Sequence, residues 1–470
     1  MARYRREEEQ QLHLTMNQPQ SNHDPNEIVV FEDSDHDHFR IPALIFIKEK
    51  EKKTFLAFAE KRTAKNGKSN DENAKNLVMR KGTLQGNSLK WSDCKELETT
   101  KQKNYRTMNP CPVLLTVGDK NTLFLFFIRI KGEIKEADLR PGETRLCYVT
   151  SKDCGETWSL PKDLTDIVKV HGIRLSKYQT FAVGPGHGIA AERGENSKSM
   201  RLLIPAYVRS KCTICNHQHA LVFYSDDEGK SWQAGKPLSE GSGECQVAEV
   251  RDNKAKKLYF NARTTSQNRI EALSDDTGGS FTKLQSLSPL ETPNGCQGSV
   301  LSFPASELHT GDQGTMLLFS HPTKGKKWER SDLGIYLREF LQGAWGEPYI
   351  IHHGKSGYSD LAPCEEEARF ACLMECGEPA HPGIVFKQFL LSEITNPAQI
   401  DMHDPAQNPS VPIQCSPNPA HTSNKKVHCL CFLLIILFLI VLVLIVLLYV
   451  ILQKQLNLCS LAANRTLESD

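Results

Sequence analysis

The sequence predicts an all-β fold of the propeller type, and three observations predict it. A phrase of the form Ser-x-Asp-x-Gly-x-x-aromatic occurs three times, starting at 151, 225 and 274. Each copy follows a short alternating apolar run (146–149, 221–224 and 270–273), the look of a strand entering a tight turn. In such a turn the Asp accepts backbone N–H groups, the Gly supplies positive φ and the aromatic ring pins the loop to the sheet. The starts lie 74 and 49 residues apart, which matches a four-stranded blade of about 50 residues, once with an insertion. EF-hand spacing and its terminal bidentate Glu are absent, so these aspartates read as structural rather than as calcium ligands.

The elements follow in order. Residues 1–26 are polar and rich in Gln and Asn, the composition of a disordered arm, with no apolar core for a secretory signal. Residues 27–395 are a succession of short apolar runs, such as 43–47, 55–58, 123–130, 202–204, 316–319 and 384–386. They are parted by Gly, Pro, Asn and Asp and hold no helix-period stretch of length, so they predict one closed β domain. Residues 396–429 read as a Pro- and Asn-rich linker. Residues 430–452 carry no charge, and as a helix they would span about 34 Å, enough to cross a hydrocarbon core of about 30 Å. A short tail, 453–470, ends the chain.

The expected protein is thus held in a membrane, plasma membrane or endomembrane, by a single pass near its C-terminus, with membrane lipid as a partner. Lys425, Lys426 and His428 precede the span, while the tail sets Lys454 and Arg465 against Glu468 and Asp470. This bias favours a cytoplasmic main domain without fixing the orientation. Cys429 and Cys431 at the membrane edge read equally as palmitoylation sites or as unmodified apolar cysteines.

Bulk composition excludes some classes. A net charge of +1 with interspersed signs gives no electrostatic footprint for nucleic acid. The fifteen cysteines, odd in number and scattered singly, read as reduced thiols. Cys212, Cys215, His217 and His219 have a zinc-like spacing, but no second ligand pair follows and the stretch reads as an insertion. Asp33, Asp35, His36, Asp37 and His38 read as a solvated loop ahead of the first long strand.

Phe39-Arg40-Ile41-Pro42 sets an arginine at the start of an apolar strand, a costly place unless it meets an anion. An Arg-Ile-Pro strand followed by three such boxes resembles the sialidase (neuraminidase) superfamily over about residues 36–392. It is most similar to the vertebrate membrane-associated, ganglioside-cleaving members and their cytosolic relatives. Further matching phrases include Met108-Asn109-Pro110-Cys111-Pro112, Gly295-Cys296-Gln297-Gly298-Ser299 and Gly357-Tyr358-Ser359-Asp360-Leu361. The resemblance implies a six-bladed β-propeller with its site at the central mouth, acting on sialylated glycolipids (gangliosides) and other glycoconjugates. It implies neither cofactor nor metal.

It also implies a residue set. Sialic acid carries a carboxylate on its anomeric carbon, and guanidinium groups bind carboxylates bidentately while staying charged. Three arginines of the family motif fall on Arg40, Arg263 and Arg330, and Glu60 falls where a carboxylate braces the first of them. An anionic nucleophile would be repelled by the substrate carboxylate, and sialidases use a tyrosine instead. That tyrosine falls on Tyr358. A phenol with a pKa near ~10 needs a base to draw its proton, and Glu244 falls at that position. Asp71 falls at the acid/base, which makes the expected reaction a retaining one. Arg62, Met108, Asn109, Glu136 and Tyr207 fall where relatives line the N-acyl and glycerol pockets, and Arg209 stands where relatives often carry a second tyrosine. A catalytically silent sialic-acid-binding propeller and a kelch-type scaffold are the competing readings. The first does not need Asp71, Glu244 and Tyr358; the second explains neither the arginine strand nor the tyrosine.

Overall fold

The computed structural model describes residue 24 and residues 26–396, apart from short stretches at 65–68, 87, 194–198, 211–217, 240, 252–254, 267, 285–290, 309–313, 327–328, 341–343, 366–367 and 378–382. Its described residues form antiparallel sheets, each entered at its first strand and left at its last. The first sheet runs Asp37–Glu49, Lys52–Thr63, Ala74–Gln85 and Ser88–Trp91. The second runs Tyr105–Val117, Lys120–Lys131, Thr144–Ser151 and Lys162–Asp163. In the third, Thr180–Val183 and Ile189–Glu192 both pair with Met200–Arg209, and Gln218–Ser225 and Gln233–Ala234 follow. The fourth runs Cys245–Arg251, Lys256–Ala262, Ile270–Ser274 and Thr282–Lys283.

The remaining strands form a seven-stranded array ordered Ser299–Pro304, Thr315–Lys326, Glu329–Glu339, Tyr349–Pro363, Arg369–Cys376, Gly383–Leu390 and Ile28–Glu32. The fifteen-residue strand Tyr349–Pro363 serves two partners. Up to Lys355 it pairs with Glu329–Glu339, and from Ser356 onward it pairs with Arg369–Cys376. The array is therefore two four-stranded units sharing one long strand. First strands of successive sheets are spatial neighbours, and Tyr349–Pro363 returns to Asp37–Glu49, so the sequence of sheets closes on itself. Ile28–Glu32 completes the closure by pairing with Gly383–Leu390, the last strand.

Burial explains why these sequences hold this arrangement. Alternating apolar side chains on adjacent sheets interdigitate in clusters. Leu56, Phe58, Leu125 and Val149 fill one interface, Phe126, Tyr148, Phe223 and Trp232 the next. Each fully buried side chain of this size contributes on the order of 1.5–3 kcal/mol. Buried polar groups gather around shared partners. Asp360, with no exposed surface, accepts from the Leu44 backbone N–H at 2.8 Å and from Ser299 Oγ at 2.9 Å. Gln246 Nε2 donates to it at 3.2 Å, and His187 Nδ1 lies 2.8 Å away. One carboxylate thus ties together first strands and loops of several sheets.

The three boxes behave as predicted. Asp153, Asp227 and Asp276 each accept the backbone N–H four residues on, at 3.0, 2.8 and 2.9 Å. The box serines cap the glycine N–H at 2.8–2.9 Å, and Gly155, Gly229 and Gly278 take φ of 80°, 83° and 92°. Trp232 stacks edge-on to Phe126 at 4.8 Å between ring centres, and Phe281 meets Phe260 at 4.6 Å. Each box joins the last two strands of its sheet, so these aspartates are turn residues.

Among the described residues no helix is long and apolar enough to cross a membrane; the longest α-helical piece is Leu391–Thr395. The predicted span at 430–452, its linker from 397, the tail, and the arm at 1–23 lie outside the described residues. So do Cys212, Cys215 and His217, whereas His219 Nδ1 sits 2.8 Å from the Leu238 carbonyl. Nine described cysteines are free thiols, seven of them buried.

Candidate active site

Irregularities in the first strands aim the functional side chains. The pairing of Asp37–Glu49 with Lys52–Thr63 breaks between Arg40 and Ala43, where Ile41 takes a φ of 60°. A β-branched residue reaches that region only when its surroundings hold it there. Here the Ile41 N–H donates to Glu375 Oε1 at 2.8 Å. Similar breaks fall between Met108 and Cys111, with Asn109 at a φ of 56°, and between Ser356 and Ser359 around Tyr358. Bulges re-aim side chains that a regular strand would alternate, and three such strands present theirs to one mouth.

The mouth is a cavity of about 760 Å³, and all twelve residues singled out in the sequence line it. At its floor Tyr358 is 8% exposed and packs with Ile41 and Cys296. Its hydroxyl donates to Glu244 Oε1 at 2.5 Å, and Arg263 Nη1 donates both to that hydroxyl at 2.9 Å and to Glu244 Oε2 at 2.6 Å. Burial, joined by the Glu244 carboxylate, pushes the phenol well above its ordinary value, against the pull of Arg263 and Arg330. At neutral pH the hydroxyl therefore keeps its proton and points it at Glu244. Arg40 and Arg330 stand over the same ring, their guanidinium carbons 5.5 and 5.7 Å from its centre. Three cations thus converge on one phenol–carboxylate pair.

The second arginine pair differs from the sequence expectation. Arg40 and Glu60 are register partners, but Glu60 does not brace Arg40. The bulge at Ile41 turns the arginine away, and Arg40 Nε donates instead to Glu375 Oε1 at 2.7 Å. Glu375 Oε2 also accepts the Tyr358 backbone N–H at 3.1 Å. Burial raises the Glu375 carboxyl, yet Arg40 and the two backbone donors overcome that and hold it below the usual range. Glu60 pairs with Arg62, whose Nη2 and Nε donate to Glu60 Oε2 at 2.7 and 3.0 Å, and its Oε1 accepts the Asn109 N–H at 2.7 Å. Both side chains are at most 1% exposed.

Arg62 Nη1 also lies 2.9 Å from Asp71 Oδ1, and Asp71 is 56% exposed at the rim. Across the mouth, Gln218 Nε2 donates to Glu136 Oε1 at 3.0 Å and Tyr207 lies beside it, its hydroxyl 3.5 Å away. Burial, with Asp71 and Glu244 adding repulsion, raises the Glu136 carboxyl. Arg209 lines this wall too. Sequence reasoning missed Glu375, Gln218 and Arg106, the last of which donates to the Gly132 and Ile134 carbonyls at 2.6 and 2.7 Å. Among the described residues no group of three or more His, Cys, Asp or Glu is placed to hold a metal ion.

Residues 53–371 match the family model of a BNR repeat-like domain. The chain is 39% identical over 420 residues to human Sialidase-3, covering 79% of this chain and 94% of the relative. The chain belongs to the sialidase superfamily. Mouse Sialidase-2 is 38% identical over 371 residues, covering 76% of this chain and 93% of the relative. Among solved structures, the Hadza microbial sialidase Hz136 superposes with a TM-score of 0.61 at 20% identity, over 76% of this chain and 66% of that one. Trypanosoma rangeli sialidase in complex with sialic acid gives 0.57 at 17%, over 83% and 64%. These likenesses fix the propeller type of the fold. Membership makes the protein an exo-α-sialidase, a glycoside hydrolase.

Proposed function

We propose that this sialidase is a six-bladed propeller that hydrolyses terminal sialic acids with retention of anomeric configuration, and that its substrates are gangliosides as well as other sialylated glycoconjugates. The observation that carries the reading is the Tyr358 hydroxyl held between Glu244 and Arg263 beneath Arg40 and Arg330. Arg40, Arg263 and Arg330 grip the sugar carboxylate. Glu244 takes the phenol proton as Tyr358 oxygen bonds to the anomeric carbon, and the bond to the aglycone oxygen breaks. Asp71 at the rim protonates that leaving oxygen. In the second half Asp71 takes a proton from water, the water oxygen bonds to the anomeric carbon, and Tyr358 leaves with its proton returned from Glu244. Arg62, Met108, Asn109, Glu136 and Tyr207 enclose the N-acyl and glycerol arms.

A purely sialic-acid-binding role would need the arginines alone; the hydrogen bond that aims the Tyr358 hydroxyl at Glu244 favours catalysis over it. The apolar segment 430–452 supports a membrane anchor that keeps the mouth near lipid headgroups. Tyr358→Phe tests the chemistry. Release of a fluorogenic aglycone and of sialic acid from ganglioside in vesicles should fall below about one thousandth of the parent rate, with the thermal unfolding midpoint unchanged. Undiminished turnover removes Tyr358 as nucleophile. A parent chain active on the soluble sialoside but inert on ganglioside vesicles removes the lipid substrate. Release of the chain from membranes by alkaline wash removes the anchor.

A further inference from the structure

Behind the arginine cluster lies a second buried ionic group. The Glu291, Arg269 and His321 side chains have no exposed surface. Arg269 Nη1 donates to Glu291 Oε1 at 2.8 Å and to the Cys296 carbonyl at 2.7 Å, while its Nε donates to Asn261 Oδ1 at 2.6 Å. His321 Nε2 lies 3.1 Å from Glu291 Oε2. Glu291 also reaches the backbone: its Oε1 accepts the Thr264 N–H at 3.0 Å and its Oε2 the Cys296 N–H at 3.1 Å. Burial acts to raise this carboxyl, but Arg269, His321 and the backbone donors bring it to about 2, so it is charged throughout the working range.

What these bonds hold is the turn between Glu291 and Cys296, and that turn touches the site. Arg263 Nη2 donates to the Asn294 carbonyl at 2.8 Å, and Arg330 Nη2 donates to the Gly295 carbonyl at 2.7 Å. The turn is tight. Gly295 has a φ of 69°, and a Cβ there would lie 2.2 Å from the Thr264 carbonyl oxygen and 2.9 Å from Arg263 Nε. Thr264 follows Arg263 directly, so Glu291 fixes the backbone on both sides of the contact.

We propose that Glu291, clamped by Arg269 and His321, is a positioning residue that sets the aim of Arg263 and Arg330 through the carbonyls of Asn294 and Gly295. The inference rests on the reading of those two arginines as carboxylate-binding groups. Their grip on the carboxylate acts on substrate and transition state alike, so its loosening raises KM, while any shift of Arg263, which also meets Tyr358 and Glu244, lowers kcat in addition. In the full-length chain, Glu291→Gln should raise KM for a soluble fluorogenic sialoside about tenfold. It should weaken inhibition by free sialic acid by the same factor, with kcat, which Arg263 reaches through Tyr358 and Glu244, falling by no more than KM rises. In an Arg330→Lys background the same substitution should add less than the full tenfold, because one of the two groups it positions is already altered.

A folded Glu291→Gln protein with KM and inhibition unchanged, or with kcat alone reduced, overturns the proposal. So does a full tenfold effect repeated in the Arg330→Lys background. Should Glu291→Gln fail to fold, His321→Leu removes one bond to the carboxylate while leaving its ion pair. A KM raised about threefold supports the proposal, and an unchanged KM overturns it. A parent chain without turnover, or Arg330→Lys with unchanged KM, counts instead against the arginine reading.

Discussion

Glu375→Gln removes one charge and almost no volume, and the structure allows its effect to be worked out. Glu375 accepts three hydrogen bonds, from Arg40 Nε at 2.7 Å, from the Ile41 N–H at 2.8 Å and from the Tyr358 N–H at 3.1 Å. An amide turned to keep its oxygen on Arg40 and Ile41 sets its NH2 against the Tyr358 N–H, donor to donor. Turned the other way, it sets NH2 against both Arg40 and Ile41. Breaking a buried pair costs about 3–5 kcal/mol, and the Arg40 side chain is 34% exposed, which lowers the figure to about 2–3 kcal/mol. That cost falls on folding stability; because the first arginine and the nucleophile's backbone are both displaced, kcat/KM should fall as well, by on the order of a hundredfold. Initial rates on a soluble sialoside read this directly, with thermal unfolding as the control for folding. The folded carboxyl lies below its ordinary value of 4.5, so its contribution is complete above that value and fades as pH falls through the lower one. Parent and variant stabilities should therefore converge only below the ordinary glutamate range. A folded variant within threefold of the parent kcat/KM would refute the account of Glu375 as the brace of Arg40 and Tyr358.

Two further outcomes are expected. Glu244→Gln leaves the phenol without a proton acceptor and should lower kcat by about a hundredfold to ten-thousandfold with KM little changed; pre-steady-state kinetics on the fluorogenic sialoside would locate the loss in the attack step. Asp227→Ala deletes acceptors for the Ser231 N–H and for Ser231 and Ser225 Oγ and should cost about 1–3 kcal/mol, read as a lower unfolding midpoint with unchanged kcat/KM. Burial raises the Asp227 carboxyl, but its hydrogen bonds hold it to about 2. The stability gap between parent and variant is therefore present above the usual aspartate range and closes as pH drops through about 2.

The boxes and the site's residue types were legible in the sequence because both are local. A Ser-x-Asp-x-Gly turn carries its own hydrogen-bond partners within eight residues, and Arg40, Tyr358 and Glu244 each sit in a short motif. Partnerships made by ring closure were not legible. Arg40 and Glu375 are 335 residues apart, and only the return of the last sheet to the first brings them together. The available signal was a lone acid in the apolar run 370–376 of a buried strand. Glu60 was assigned to the wrong arginine for a different reason. Period two along Lys52–Thr63 puts Glu60 and Arg62 on the same face, a pairing readable from spacing alone. The family motif paired Glu60 with Arg40 instead, and although the two are register partners, a one-residue bulge that sequence does not announce separates them. Sheet membership of Tyr349–Pro363 was equally hidden, since one continuous strand changes partners midway.

Pairing of Ile28–Glu32 with Gly383–Leu390 has a consequence for biosynthesis. While the ribosome is still at work, the earliest β segment has no partner to zip against and leaves an exposed edge open to stray association. Only after residue 386 has cleared the exit tunnel can the circle be latched, so a truncation before residue 383 yields an unlatched arc with a bare flank.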